Sequence, residues 1–217
     1  MTIVKGLKNI NALVDKPKYE GTGSKVRWLK LADGQSVKIR FIEELDEDSS
    51  NYNEKRGLAL VVKEHTNPKD YKRRALDTME SEGRDWAEEM HRKDPKAGWR
   101  ARLRFYCNVL VEDGIEEPYV AVWAMGVSKQ SAFNTIREYA LETGSISNLT
   151  WKLKRNGQGT ETSYTLIPGA PDKEPFDWSK VEPIPLEKAL NKVAYAEQEA
   201  FYLGFDTPST GSSNIDW

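Results

Sequence analysis

The stretch that decides the fold is Trp99-Arg100-Ala101-Arg102-Leu103-Arg104-Phe105-Tyr106-Cys107-Asn108-Val109-Leu110-Val111, with its return Tyr119-Val120-Ala121-Val122-Trp123. Between them lies the acidic segment Glu112-Asp113-Gly114-Ile115-Glu116-Glu117-Pro118. Two runs of β-branched and aromatic residues separated by turn residues predict a hairpin. Side chains alternate between the faces of a strand, so Arg100, Arg102, Arg104 and Tyr106 share one face. Ala101, Leu103, Phe105 and Cys107 share the other, which is apolar. A cationic face ending in a ring suits a chain of phosphates and bases, because guanidinium groups meet phosphates and rings stack on any base. It also suits an ordinary solvated strand. Alternation alone does not say which face points outward.

Further strands surround the hairpin. Val26 to Leu31 reads as a strand and Ala32-Asp33-Gly34-Gln35 as its turn, with the Asp-Gly hairpin signature. Ser36 to Ile42 follows, its Val37, Ile39 and Phe41 alternating with Lys38 and Arg40. Glu43 to Arg56 reads as a polar, solvated acidic loop, and Leu58 to His65 as the next strand. Residues 66–98 lose apolar content and gain charge. They predict an insertion outside the sheet, with short helices over Tyr71 to Met79 and Asp85 to Arg92, and a turn at Asn67-Pro68. Ser128 to Thr143 has helical spacing, with Gly144 as its stop. Asn148 to Arg155 and Thr162 to Ile167 form a last pair of strands. About seven strands without βαβ alternation predict a mainly β fold built as a small antiparallel barrel. Leu186 to Phe205 predicts a C-terminal helix after a Pro-rich, acidic stretch. The chain thus divides into a basic arm (1–24, helical around Leu7 to Val14), a barrel core (25–170) with the 66–98 insertion, a Pro-rich segment and helix (171–205), and a flexible acidic tail (206–217).

The 217 residues leave room for one good-sized domain with appendages. Formal net charge is −2, unevenly spread. Basic residues outnumber acidic ones four to two in 1–20, are nearly balanced in 21–170, and fall to four against nine in 171–217. Such a chain does not coat nucleic acid by bulk charge, so local patches must supply any such affinity. One cysteine, Cys107, excludes an intramolecular disulfide, suits a reducing interior and reads as a small buried hydrophobe. No apolar run is long enough for a bilayer, and Met1 to Lys5 begins no signal peptide. Two histidines, no phosphate-binding glycine loop and no Gly-x-Ser-x-Gly elbow leave no recognisable catalytic constellation. A nuclease assembled from scattered carboxylates stays open as one alternative. An interaction module without its own nucleic-acid binding is another.

Several segments together carry a resemblance. They are Gly6 to Ile10, Arg27 to Leu31, Glu64 to Pro68, Asp94 to Trp99, Glu117 to Trp123, Pro175 to Ser179 and Tyr195 to Tyr202. In these the chain resembles the single-stranded DNA-binding proteins of tailed phages related to the T-even helix-destabilising protein. The resemblance implies an OB-fold barrel, an inserted subdomain, self-association through the N-terminal arm, and an acidic tail that recruits replication or recombination proteins. It implies a role in phage DNA replication, recombination and repair in the cytoplasm of an infected bacterium. Metal-binding members of that family hold zinc in the insertion through one His and three Cys. Here the matching positions are His65, Asp77, Asp85 and Glu88, a donor set poorly suited to structural zinc, so no cofactor is expected. Trp86, Tyr71, Leu76 and Met79 are expected to form a small core there instead. The phosphate-binding expectations are Arg27, Lys38, Arg40, Arg100, Arg102, Arg104, Lys152 and Lys154. Trp28, Trp99, Tyr106 and Trp123 are expected to stack on bases, while Phe41, Phe105 and Trp151 are expected in the core. Asp206, Ile215, Asp216 and Trp217 are the expected partner-binding tip of the tail.

Overall fold

Alternation of small or polar with large apolar residues builds the long strand of the hairpin and sets the architecture around it. The computed structural model describes residues 26–114 and 117–205. The strands are β1 (Ser36–Phe41), β2 (Leu60–Asn67), β3 (Asp70–Leu76), β4 (Arg102–Glu112), β5 (Tyr119–Gly126), β6 (Leu149–Asn156) and β7 (Ser163–Pro171). The helices are α1 (Met79–Glu82), α2 (Trp86–Lys93), α3 (Ala132–Thr143) and α4 (Tyr195–Leu203), with 3-10 turns at Gly159–Glu161 and Leu186–Ala189. The fold is mainly β: one seven-stranded antiparallel sheet in the order β3-β2-β4-β1-β6-β7, with β5 on β4. No helix among the described residues is long and apolar enough to cross a membrane.

β4 has three partners. Along one edge it pairs with β5 from Arg104 to Val111. The other edge serves β2 from Arg102 to Tyr106 and then β1 from Val109 to Glu112. The inward residues Phe105, Cys107, Val109 and Val111 meet Val37, Ile39, Phe41, Ala121, Trp123, Trp151 and Leu153 in the main core. Ile136 of α3 closes that core, and Tyr139 of the same helix packs edge-on against Trp151 at 4.9 Å. The helix ends at Gly144 with φ 78°, a left-handed value that costs an L side chain and costs glycine little. Phe41, Phe105 and Trp151 are buried, as expected. β5 and β7 approach through the edge-on rings of Trp123 and Tyr164, 5.5 Å apart. Among the described residues no ladder joins those two strands.

Several expectations need correction. Val26 to Leu31 is not a strand of the sheet: it touches β5 through one parallel bridge, Trp28 to Val122. Its turn is drawn instead to β6, where Gly34 N donates to Arg155 O and Arg155 N to Gln35 O. Tyr71 to Leu76 is strand, not helix, and lies in the sheet beside β2, so 66–98 is not a separate helical insertion. Ala75 is buried in a second core with Trp86, Ala87, Val193 and Tyr202. Tyr71, expected in that core, is 58% exposed. Finally, the C-terminal helix is broken in two. β3 takes both amide groups of the link, since Leu76 N donates to Asn191 O and Asn191 Nδ2 to Arg74 O. The acidic loop is corrected as well: Glu43 and Glu44 are buried, not solvated. The arm 1–24, including Leu7 to Val14, and the tail residues Asp206, Ile215, Asp216 and Trp217 lie outside the described residues.

Candidate nucleic-acid interface

The outward face of the sheet carries the residues in question, and it is divided. At one end Lys38 of β1 lies directly opposite Lys152 of β6, and Ser36 opposite Lys154. All three lysines are exposed, and among the described residues none is in an ion pair. Like charges directly opposite on neighbouring strands repel, and Glu112, opposite Lys38 on β4, offsets part of that repulsion, so an arriving anion relieves the remainder. Ile167 of β7 sits opposite Lys152 and is 54% exposed, giving the row an apolar flank.

The middle of this face is covered by the chain itself. Arg40 is only 4% exposed. Its Nη2 donates to Asp172 Oδ1 at 3.0 Å, its Nη1 donates to Asp172 Oδ2 and Ser147 O, and its guanidinium lies 4.3 Å from the Phe176 ring centre. A pair held this way leaves no donor face for a phosphate, so the expected role of Arg40 is not met. Tyr106 is 2% exposed under Leu186 and Ala189, and its hydroxyl donates to Glu64 Oε1 at 2.6 Å. Burial, and then the Glu64 charge, push that phenol up to about 12. It cannot stack on a base. Alternation placed both residues on the outer face correctly, but not the segment 172–190 that crosses it.

At the far end, Arg100 and Arg102 are exposed and Arg104 is half-buried, its Nε 3.5 Å from Glu64 Oε2. Arg102 and Glu112 are the two ends of the 11-residue β4. At about 3.3 Å per residue this cluster is roughly 30 Å from the lysine row. The expected cations thus form two groups, not one trough. Arg27 is exposed, with its guanidinium 3.3 Å from the Tyr119 ring centre. Trp28 is half-buried, edge-on to Tyr106 at 6.2 Å. Trp123 is 2% exposed and belongs to the main core, so its stacking role is overturned. Trp99 wedges into the second core, 5.2 Å from Trp86 and 5.3 Å from Tyr202, both edge-on. It serves packing.

His65, Asp77 and Asp85 do converge, with one donor atom from each within 4.8 Å of the others. Glu88 stands outside the group and pairs with Arg92 at 3.2 Å. His65 Nδ1 faces Trp99 O at 2.6 Å, and Nε2 faces Asp77 Oδ2 at 3.2 Å and Asp85 Oδ1 at 3.5 Å. The carboxylates are already engaged. Asp85 caps α2 by accepting from Glu88 N, and also accepts from Thr78 N, Thr78 Oγ1 and Gln198 Nε2. Asp77 takes Met79 N and the Lys63 ammonium at 2.8 Å. Burial pushes its carboxyl up, but the Lys63 and Met79 bonds outweigh this and hold it below the ordinary range. A buried cluster whose carboxylates are already taken by backbone, hydroxyl, amide and Lys63 donors, without thiolates, fits a structural clamp better than a zinc centre.

Sequence reasoning gave no role to Arg56, Phe176 and Trp178. Phe176 and Trp178 meet edge-on at 4.7 Å, and the Arg56 guanidinium lies 4.1 Å from the Trp178 ring centre. Arg56 and Trp178 border an open cleft of about 740 Å³ between residues 50–56 and 178–183. The signal was two rings in an otherwise acidic, Pro-rich segment.

No protein-family model, no curated protein and no solved structure matches the chain.

Proposed function

We propose that the protein binds single-stranded DNA without sequence preference and has no catalytic role. The observation that carries this reading is the exposed Lys38–Lys152–Lys154 row, two like charges of which face each other across β1 and β6, none of them in an ion pair among the described residues, with Glu112 opposite Lys38 on β4 as the one carboxylate in register with the row. Such a row gains by neutralising phosphates and releasing counterions. The sheet is proposed to act as an OB-type barrel, which offers a strand-binding face of this kind. The His65–Asp77–Asp85 cluster, with Lys63 paired to Asp77, acts as a hydrogen-bonded clamp without metal. By the resemblance described above, the protein works in phage replication, recombination and repair in the host cytoplasm, associates through its basic arm and recruits partners through its acidic tail. Titration of a labelled oligo-dT at several salt concentrations tests the reading. Affinity should fall steeply with salt, and Lys38→Glu with Lys152→Glu should weaken binding at every sequence and flatten the salt slope. An oligonucleotide that does not bind at low salt overturns it.

A second reading, an interaction module, is favoured by one observation. Leu203 at the end of α4 and Phe205 just beyond it are both exposed. Binding of a replication protein with no oligonucleotide binding selects that reading.

A further inference from the structure

The cleft at Trp178 belongs to neither predicted group, and its chemistry is specific. Trp178 is half-buried, with a guanidinium over its ring and the edge of Phe176 beside it. Arg56 is itself fixed, because it donates to the Asn51 carbonyl oxygen. Burial pulls its guanidinium down, while the buried Glu44 and Glu43 charges hold it up. The ring is thus held in place before any ligand arrives. Lys55, Arg56 and Lys180 line the cleft against a single carboxylate, Glu182, so its rim is cationic. It is open, and its charged rim disfavours a wholly apolar guest. A planar π system attached to an anion is the guest that uses both the ring and the rim.

A chain of contacts also links the cleft to the lysine row, running through the buried Arg40 and the segment that covers it. Lys38 and Arg40 are two residues apart on one strand face, about 7 Å. From Arg40 the path runs 4.3 Å to Phe176, 4.7 Å to Trp178 and 4.1 Å to Arg56. We infer that the cleft is a nucleobase subsite: a base of the bound strand stacks on Trp178 while Lys55 and Lys180 hold its flanking phosphates. This rests on the single-strand reading above and adds the place where a base is held. A ring binds any base by its face, which is why the subsite does not select sequence.

The experiment compares oligo-dT with an abasic oligonucleotide of equal length, by anisotropy of an end label, on the full chain. Trp178→Leu should weaken oligo-dT binding roughly 5- to 150-fold, the range for loss of one stacked base, and leave abasic binding unchanged. Lys180→Ala, at an exposed position, tests the same cleft without disturbing the packing of Trp178, and should weaken both probes and lower the salt slope. Lys38→Glu should also weaken both. If Trp178→Leu and Lys180→Ala bind oligo-dT like the parent while Lys38→Glu does not, the subsite is refuted and the single-strand reading stands. If the parent binds neither probe, the single-strand reading itself fails. Equal losses on oligo-dT and the abasic chain with Trp178→Leu would show that no base is held, and would also refute the subsite.

Discussion

Stability should fall as pH rises from about 4.5 to 7, and Glu43 should be the reason. The side chain is buried, and its oxygens accept from Asn108 N at 2.7 Å and Asn108 Nδ2 at 2.5 Å. Burial raises its pKa from 4.5 to about 7, against the pull of the Asn108 bonds. A carboxyl whose folded pKa lies above its unfolded one binds its proton more tightly when folded. Stability is then fully present below the unfolded value and is lost as pH climbs to the folded one. A rise from 4.5 to about 7 corresponds to about 3.5 kcal/mol at roughly 1.4 kcal/mol per pH unit. This is a large share of the 5–15 kcal/mol typical of a domain. The perturbation is Glu43→Gln, which cannot titrate. Its absolute stability should drop by about 1–3 kcal/mol, since an amide nitrogen now faces one of the Asn108 donors. Its loss of stability between pH 5 and 7.5 should be smaller than the parent's by most of that roughly 3.5 kcal/mol. Urea unfolding at several pH values, followed by circular dichroism, measures both. Parallel pH profiles for the two proteins would refute the argument. The same substitution has a reach beyond Glu43. Asn108 Nδ2 also donates to Ile184 O, and Asn108 Oδ1 accepts from Ile184 N, so loss of the pair should loosen the crossing segment.

Tyr106→Phe should cost about 1–3 kcal/mol in urea unfolding, because Glu64 stays buried without its hydroxyl donor, while oligo-dT affinity stays at the parent value. A large affinity loss with unchanged stability would return Tyr106 to the binding face. Asp172→Ala should destabilise by about 1–3 kcal/mol by leaving Arg40 buried without its carboxylate, and should speed amide exchange across 172–178. Gly169→Ala should be destabilising by about 1–3 kcal/mol, since an added Cβ would sit 2.7 Å from the Thr150 carbonyl oxygen at the β6–β7 irregularity. Unchanged melting would show that the two strands shift freely there.

Strong alternation was legible. β1, the β4–β5 hairpin and the β6–β7 pair follow from period-two patterns, and α3 from helical spacing with a glycine stop. β3 was not, because Lys72-Arg73-Arg74 has no apolar period, and its strand form comes from pairing with β2 and from burial of Ala75 under α4. The candidate site was half legible. Parity set Lys38, Arg40, Lys152 and Lys154 on one face, yet parity says nothing about a distant segment laid across it. Hence Arg40 and Tyr106 read as open groups and are covered ones. The run Glu43-Glu44-Leu45-Asp46-Glu47-Asp48 looks uniform in charge. Its first two members meet donors from distant segments, from Asn108 and from Ser145 to Ser147, which keep them inside, whereas Asp46 takes the amide of Asp48 two residues on.

The crossing segment also has a consequence for synthesis. Asn108 and the Ile184 that covers it are 76 residues apart. At ribosomal speeds of about 5–20 residues per second, the hairpin emerges roughly 4–15 s before its cover. During that interval Tyr106, Val122 and their neighbours present an apolar surface to the crowded cell. A nascent chain stalled between those points is the form a chaperone would meet, and the form most prone to stick to its own kind.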